Sequence, residues 1–310
     1  MTAFTKSTLE SSTGASLALY SWPCKAGAKA IIHINHGMAE HCARYDRFAQ
    51  ALNGAGYHVI AHDHRGHGGT TAPDAHQGLF ATSNGWDKVI EDVMTVNADA
   101  KKTWPGLPII YFGHSMGSII GLNVCIKHSN QLDAAALWNS GVDGGLLLSV
   151  YSALLGAERM FKGSDVPSGI ARKLTFETWN KVFKPNRTES DWLSRDEAEV
   201  DKYVTDPLCG FDCCNGLWRD LLEGIRTGGD DTALSAIRSD LPIHLLAGGQ
   251  DPCSDKGKAV ERVAVRLEKA GLRDLTNVIH PENRHEALNE LNREEITNDF
   301  IRWLDQRFAT

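Results

Sequence analysis

The sequence predicts an α/β fold, a mostly parallel central sheet flanked by helices, with a helical insertion between core strands. Three observations carry that expectation. Short apolar runs that read as buried strands alternate with amphipathic helical stretches up to about residue 140 and again from residue 241. Between those blocks, over residues 142–232, no strongly apolar strand appears and aromatic residues are spread among polar helical stretches. A serine, an aspartate and a histidine each stand just past the end of an apolar run, where open α/β sheets place their ligands.

Taken in order, residues 17–22 alternate weakly, like an edge strand, whereas residues 30–35 are more continuously apolar, like a central one. That run ends at His36-Gly37-Met38-Ala39-Glu40-His41, ahead of a helix expected over residues 44–52. In a loop at a strand's carboxyl end, the Met38 N–H is a candidate donor to a developing oxyanion. Residues 57–62 form the next strand and lead into Asp63-His64-Arg65-Gly66-His67-Gly68-Gly69. The histidines His62, His64 and His67 invite a metal reading, but a binuclear metallohydrolase loop carries Asp immediately before its last His, where this chain has Gly66. A dinucleotide loop is excluded by the missing final glycine of Gly-x-Gly-x-x-Gly. Asp63 and Arg65 are instead expected to brace neighbouring loops through ionic hydrogen bonds. Residues 86–103 carry the periodicity of a helix packed on the sheet.

The centre of the chain is residues 108–128. Pro108-Ile109-Ile110-Tyr111-Phe112 reads as a buried strand, Gly113-His114-Ser115-Met116-Gly117 as a sharp turn, and the apolar stretch after it as a buried helix. Glycine on both sides of Ser115 allows the close backbone approach of a strand-to-helix elbow that presents the hydroxyl above the sheet. The Met116 N–H, at the start of the helix, is the second candidate oxyanion donor.

Residues 134–140 form a further strand, and then the rhythm stops. The insertion carries Tyr151, Phe161, Phe176, Trp179, Phe183, Trp192, Tyr203, Phe211 and Trp218, and reads as a helical cap able to supply an apolar acyl pocket. The expected organisation is a core of residues 1–141 and 233–310 with a cap of residues 142–232. The strand at 241–247 is followed by Asp251 in a Gly-rich turn; Asp255, just before a helix expected over 258–270, is assigned to helix capping. Favourable interaction with the positive end of that helix is the other duty that fits Asp255. The last strand, 275–280, ends in His280, too early to reach over the sheet, whereas His285 has the loop length to do so. A closing helix is expected over 294–308.

A lone hydroxyl is a poor nucleophile at neutral pH. His285 can take the proton of Ser115 if Asp251 fixes the ring's tautomer and stabilises the imidazolium. Serine, then acid, then histidine is the chain order of α/β-hydrolases. The segments His36-Gly37-Met38-Ala39-Glu40-His41 with Arg44-Tyr45, Asp63-His64-Arg65-Gly66-His67-Gly68, Gly113-His114-Ser115-Met116-Gly117 and Arg284-His285-Glu286 together resemble the monoacylglycerol lipase and lysophospholipase-like group of serine hydrolases. Asp206-Pro207-Leu208 resembles a further segment of that group. The resemblance implies a cofactor-free carboxylic ester hydrolase, cytosolic or membrane-peripheral, whose cap admits a lipid-like acyl chain. It implies triad roles for Ser115, Asp251 and His285 and oxyanion donors at Met38 and Met116; substrate contacts are expected at His36, Gly37, His114 and Trp179.

Composition limits the alternatives. A length of 310 residues fits one large α/β domain with an insertion, and 42% hydrophobic with 23% charged residues is the balance of a globular chain. A net charge of −7 argues against a nucleic-acid partner. The amino terminus shows no secretory pattern, so a cytoplasmic protein is expected. The seven scattered cysteines read as thiols rather than metal ligands or disulfides. The expected partner is a small acyl ester, with peripheral membrane contact through the cap; no metal or cofactor is expected, and oligomeric state is not legible. Two other functions fit the same fold. A serine aminopeptidase would need a cap carboxylate for the substrate ammonium, with Glu158, Glu177 and Asp191 as candidates, and a catalytically silent binding protein would use the cap pocket without turnover.

Overall fold

The computed structural model describes residues 4–25, 27–142 and 146–308. Met1 to Ala3, part of the amino-terminal reading, and residues 143–145, next to the expected start of the cap, lie outside them. Among the described residues, β1 (Thr5–Glu10), β2 (Ser16–Trp22), β3 (Ile31–Asn35), β4 (His58–His62), β5 (Ile109–His114), β6 (Ala134–Trp138), β7 (Ile243–Gly248) and β8 (Leu275–His280) form one sheet. Its order is β1-β2-β4-β3-β5-β6-β7-β8, with β1 and β2 antiparallel to their neighbours and the rest parallel. The chain leaves β3 to one side for β4 and returns to its other side for β5, so the topological switch lies between β3 and β5. Open sheets bind their ligands at such a point, beyond the strands' carboxyl ends.

The inner strands β3, β4, β5, β6 and β7 are buried on both faces, which is why they read as continuous apolar runs, whereas β8 at the edge is half-exposed. Along β5, Ile109 and Tyr111 face one core and Ile110 and Phe112 the other. The first face is covered by α2 (Gly85–Thr103), α3 (Met116–His128) and α10 (Lys258–Lys269); the second by α1 (Asp46–Gly54) and α11 (Arg293–Phe308), with Phe48, Phe112, Trp138 and Phe300 packed ring on ring.

Between β6 and β7 lie α4 (Leu146–Lys162), α5 (Gly169–Leu174), α6 (Phe176–Lys181), α7 (Glu197–Thr205), α8 (Asn215–Gly228) and α9 (Asp231–Leu234). They are not one layer. Leu217, Trp218, Leu221 and Leu222 of α8 join the first core face, where a Cβ on Gly224 would collide with the Trp86 ring. Trp192, Leu193 and Tyr203 form a separate small cluster with Phe176, Trp179, Phe183 and Cys253. No helix among the described residues is long and apolar enough to cross a membrane.

Two expectations are corrected. The stretch 17–22 is not an edge strand, because β1 pairs outside it from Thr5↔Ser21 to Glu10↔Ser16. The edge strand was missed because TKSTLE is polar and almost wholly exposed, with no buried face to impose an apolar period. Of the two duties expected of Asp255, it does not cap α10: the cap position is Gly257 with no side-chain cap bond, and the Asp255 carboxylate, just ahead of the helix, meets Arg262.

Candidate active site

Ser115 occupies the elbow between β5 and α3 with φ 54° and ψ −117°, a conformation costly for any residue with a side chain. The flanking glycines permit the turn. A Cβ on Gly113 would strike the Gly117 carbonyl, and one on Gly117 would strike the carbonyl of Asn35 at the end of β3. Close approach has a positional result, because the register Asn35↔Gly113 carries the loop after β3 directly past the serine. Met38 lies in that loop, and Met116 is the first residue of α3, where backbone N–H groups have no partner inside the helix.

The register Gly248↔His280 likewise brings the loops after β7 and β8 together. His285 Nε2 lies 2.9 Å from Ser115 Oγ, and His285 Nδ1 lies 3.0 Å from Asp251 Oδ2. Asp251 is fully buried; its Oδ2 also accepts the Ser254 hydroxyl at 2.8 Å and its Oδ1 the Cys253 N–H at 2.9 Å. Serine, imidazole and carboxylate therefore form one hydrogen-bonded series across three loops. An imidazole bonded by Nδ1–H to a carboxylate presents a basic Nε2 to the hydroxyl.

The insertion closes over this series. The Trp192 ring sits 4.7 Å from that of His285, Trp179 packs on Trp192 at 4.9 Å and Phe176 stacks on it at 5.7 Å. Trp179, expected to touch substrate, is thus one ring removed from the histidine. Trp192 is nearer, and the sequence carried no signal to rank it above the other aromatics. The Glu286 N–H donates to the Leu193 carbonyl at 2.7 Å, the Tyr203 hydroxyl to the Ala39 carbonyl at 3.1 Å, and His41 Nε2 lies 2.8 Å from Asp206 Oδ2. The segment containing Asp206-Pro207-Leu208 therefore clasps the loop after β3.

Beneath the series lies a buried charged cluster. Arg44 makes a two-pronged bond to Glu286 at 2.8 and 2.7 Å and meets Glu40 Oε2 at 2.5 Å. Burial opposes the charge on Glu40, but Arg44 and His114 outweigh it and hold its carboxyl well below the ordinary range. His114 is also desolvated, yet the hydrogen bond and charge of Glu40 leave its pKa raised. His36 and His114 had been expected to contact substrate. Instead both are buried, with His36 bonded to Gly37 and His64 and His114 to Glu40 and the His285 carbonyl. Glu40 stands ahead of the helical turn at Cys42–Tyr45, so no helical period marks it as the partner of Arg44, and only an opposite charge four positions away hints at the pair.

As expected, Asp63 and Arg65 brace loops. Asp63 accepts from Tyr20, Cys42 and Gly69, and Arg65 from within the fold bonds the Phe80 carbonyl and Asp74. Burial keeps His36, His62, His64 and His67 in the neutral form. Among the described residues, donor atoms within 4.8 Å of one another gather at His36–Cys42–Asp63, His41–Asp206–Cys209 and Asp251–Cys253–His285. In each group burial pushes the thiol's pKa up, away from the thiolate a metal needs.

The fold and the serine at its elbow define a serine hydrolase of the α/β-hydrolase class. Comparison with known proteins narrows this. A family model for "Serine aminopeptidase, S33" matches residues 26–292, and the chain belongs to that family. It is 30% identical over 297 residues to human monoglyceride lipase, covering 93% of this chain and 86% of the relative, and 29% identical over 281 residues to the mouse protein of the same name, covering 87% and 84%. Among solved structures it superposes on a thermostable carboxyl esterase from Bacillus coagulans with a TM-score of 0.89 at 23% identity, covering 99% of this chain and 100% of that one.

Proposed function

We propose that this chain hydrolyses monoacylglycerol or a related acyl ester through an acyl-enzyme on Ser115. The observation that carries the reading is the continuous series Ser115 Oγ, His285 Nε2, His285 Nδ1, Asp251 Oδ2, with contacts of 2.9 and 3.0 Å. His285 takes the hydroxyl proton as Ser115 Oγ attacks the acyl carbon, and the Met38 and Met116 N–H groups receive the oxyanion. Collapse breaks the ester C–O bond, and His285 returns the proton to the leaving alcohol. Water then attacks the acyl-serine with the same base, releasing the carboxylic acid and restoring the hydroxyl. The substrate class is supported by the relatives named monoglyceride lipase, and by the Trp192 ring beside His285 with Trp179 and Phe176 packed on it.

The insertion acts in this reading as a cap, with residues 142–232 as its bounds, and its outer face as the docking surface for a lipid interface. Met160 and Phe161 at the end of α4 are 77% and 83% exposed, with Val150 and Leu154 on the same helix. Arg159 and Lys162 flank them, as suits an interface with anionic headgroups. Aminopeptidase chemistry is less well supported. Glu158 is bonded to Ser168 and Lys162, Asp191 to Thr188 and Arg187, and Glu177 lies 3.9 Å from Arg172, so each carboxylate offered for a substrate ammonium has a partner in the insertion.

The test compares turnover of a monoacylglycerol, a lysophospholipid, a p-nitrophenyl acyl-ester series and a proline anilide by the wild type and Ser115→Ala. Ester turnover is expected, falling roughly 10⁴-fold or more in the variant while the melting temperature holds. Turnover confined to the anilide overturns the ester reading. A fluorophosphonate probe that leaves Ser115 unlabelled would favour the silent binding protein.

A further inference from the structure

The loop carrying Met38 is held from both sides of Gly37. The Gly37 N–H donates to Glu40 Oε1 at 2.6 Å, and the Gly37 carbonyl oxygen lies 2.7 Å from His36 Nδ1. His36 Nε2 accepts the backbone N–H of His64 at 2.9 Å. A ring nitrogen that accepts carries no hydrogen, so the neutral imidazole holds its hydrogen on Nδ1 and donates it to the Gly37 carbonyl. With both nitrogens engaged and the ring fully buried, His36 has no capacity left for a ligand.

The Gly37 carbonyl and the Met38 N–H belong to one planar trans peptide unit and point in opposite directions from it. Fixing one fixes the other. We propose that His36 and Glu40 are positioning residues that clamp the two peptide units flanking Gly37 and so hold the Met38 N–H on the oxyanion, a role that rests on the reading of Ser115 and Met38 given above. Gly37 leaves no room to relax, since a Cβ there would stand 2.6 Å from Glu40 Oε1 and 3.3 Å from Ser115 Cβ. Glu40 extends the clamp. The same Oε1 lies 3.4 Å from His114 Nδ1, and His114 Nε2 donates to the His285 carbonyl at 3.1 Å. One buried carboxylate thus connects the loop of the oxyanion donor, the residue before the nucleophile and the backbone of the base. Donors fixed in advance are worth more to an oxyanion than donors that must turn toward it.

The two ring nitrogens can be tested separately, because Gln places an acceptor near Nε2 and Asn a donor near Nδ1. His36→Gln keeps the anchor to His64 and loses the one to Gly37; His36→Asn does the reverse. Paired oxyesters and thionoesters supply a readout that general loosening does not move, since a sulfur anion accepts hydrogen bonds weakly. His36→Gln is expected to lower kcat on the oxyester roughly ten- to a hundredfold with KM little changed, by analogy with loss of an oxyanion donor. The thionoester should lose at most a few-fold, and His36→Asn should recover most of the oxyester rate. Glu40→Asp, which draws the carboxylate back from the Gly37 N–H while keeping its charge beside Arg44, should show the same selectivity and carries the test if the His36 variants do not fold. Equal losses on both esters, no loss, or an equal deficit in His36→Gln and His36→Asn overturns the proposal. Complete fluorophosphonate labelling of wild-type Ser115 is the separate control: if labelling succeeds and the selectivity is absent, the positioning role alone falls, and if labelling fails, the underlying reading falls first.

Discussion

At the scale of the residue, the chain tolerates local cost where the site needs geometry. Ser115 keeps a positive φ without being glycine, and the strain is held by the Ser115 N–H donating to the Trp138 carbonyl at 2.9 Å on one side and by α3 on the other. A second costly residue lies away from the site. Asp220 on α8 is pressed against Gly85 at the start of α2, its Oδ2 without a hydrogen-bond partner. Burial, helped by the charge of Glu223, pushes its pKa up to about 7. An unfolded aspartate ionises near 4, so the fold is favoured by the protonated form: that contribution is complete below about pH 4 and is lost as pH rises through about 7. Asp220→Asn should therefore differ little from wild type near pH 4 and gain on the order of 1–3 kcal/mol at pH 8, read by urea unfolding at both values. An equal gain at both pH values would contradict this account of the carboxylate.

At the scale of the element, what could be read from the sequence followed from burial. β5 was legible because Ile109 to Phe112 fill two cores at once, and the helix at Gly85–Thr103 because one stripe of it packs on the sheet. β1 was not, since a polar strand held mainly by its backbone pairing with β2 shows no apolar period. The insertion was legible only as helical and aromatic; the sequence did not show that α8 lies on the core face while Trp192 reaches His285, because that division depends on which helices meet. The exposed end of α4 makes its own prediction. Met160→Glu with Phe161→Glu should weaken sedimentation with anionic phospholipid vesicles by about tenfold, while hydrolysis of a dispersed short-chain ester falls far less. Undiminished vesicle binding would rule out this face as the docking surface.

At the scale of the whole molecule, the sheet brings together residues that the chain keeps far apart. Ser115, Asp251 and His285 could be chosen from sequence because each stands past a strand in the same sense, and parallel strands put such positions on one edge of the sheet. The support beneath them could not be chosen in the same way. Glu40, Arg44, His114 and Glu286 come from four segments, and their pairing follows from the register of β3 with β5 and from the path of the last loop, neither of which any single segment encodes. For the same reason His36 and His114 read as substrate contacts in the sequence, since a histidine at the carboxyl end of a strand looks alike whether it faces a ligand or a backbone group. The central claim, that Ser115 is acylated and deacylated in turn, is tested most directly by rapid mixing with a p-nitrophenyl ester followed by acid quench and peptide mass analysis. A burst of about one nitrophenol per chain with the acyl group on the peptide containing Ser115 is the expected result; linear release with no acylated peptide, or acyl found on another residue, would contradict it.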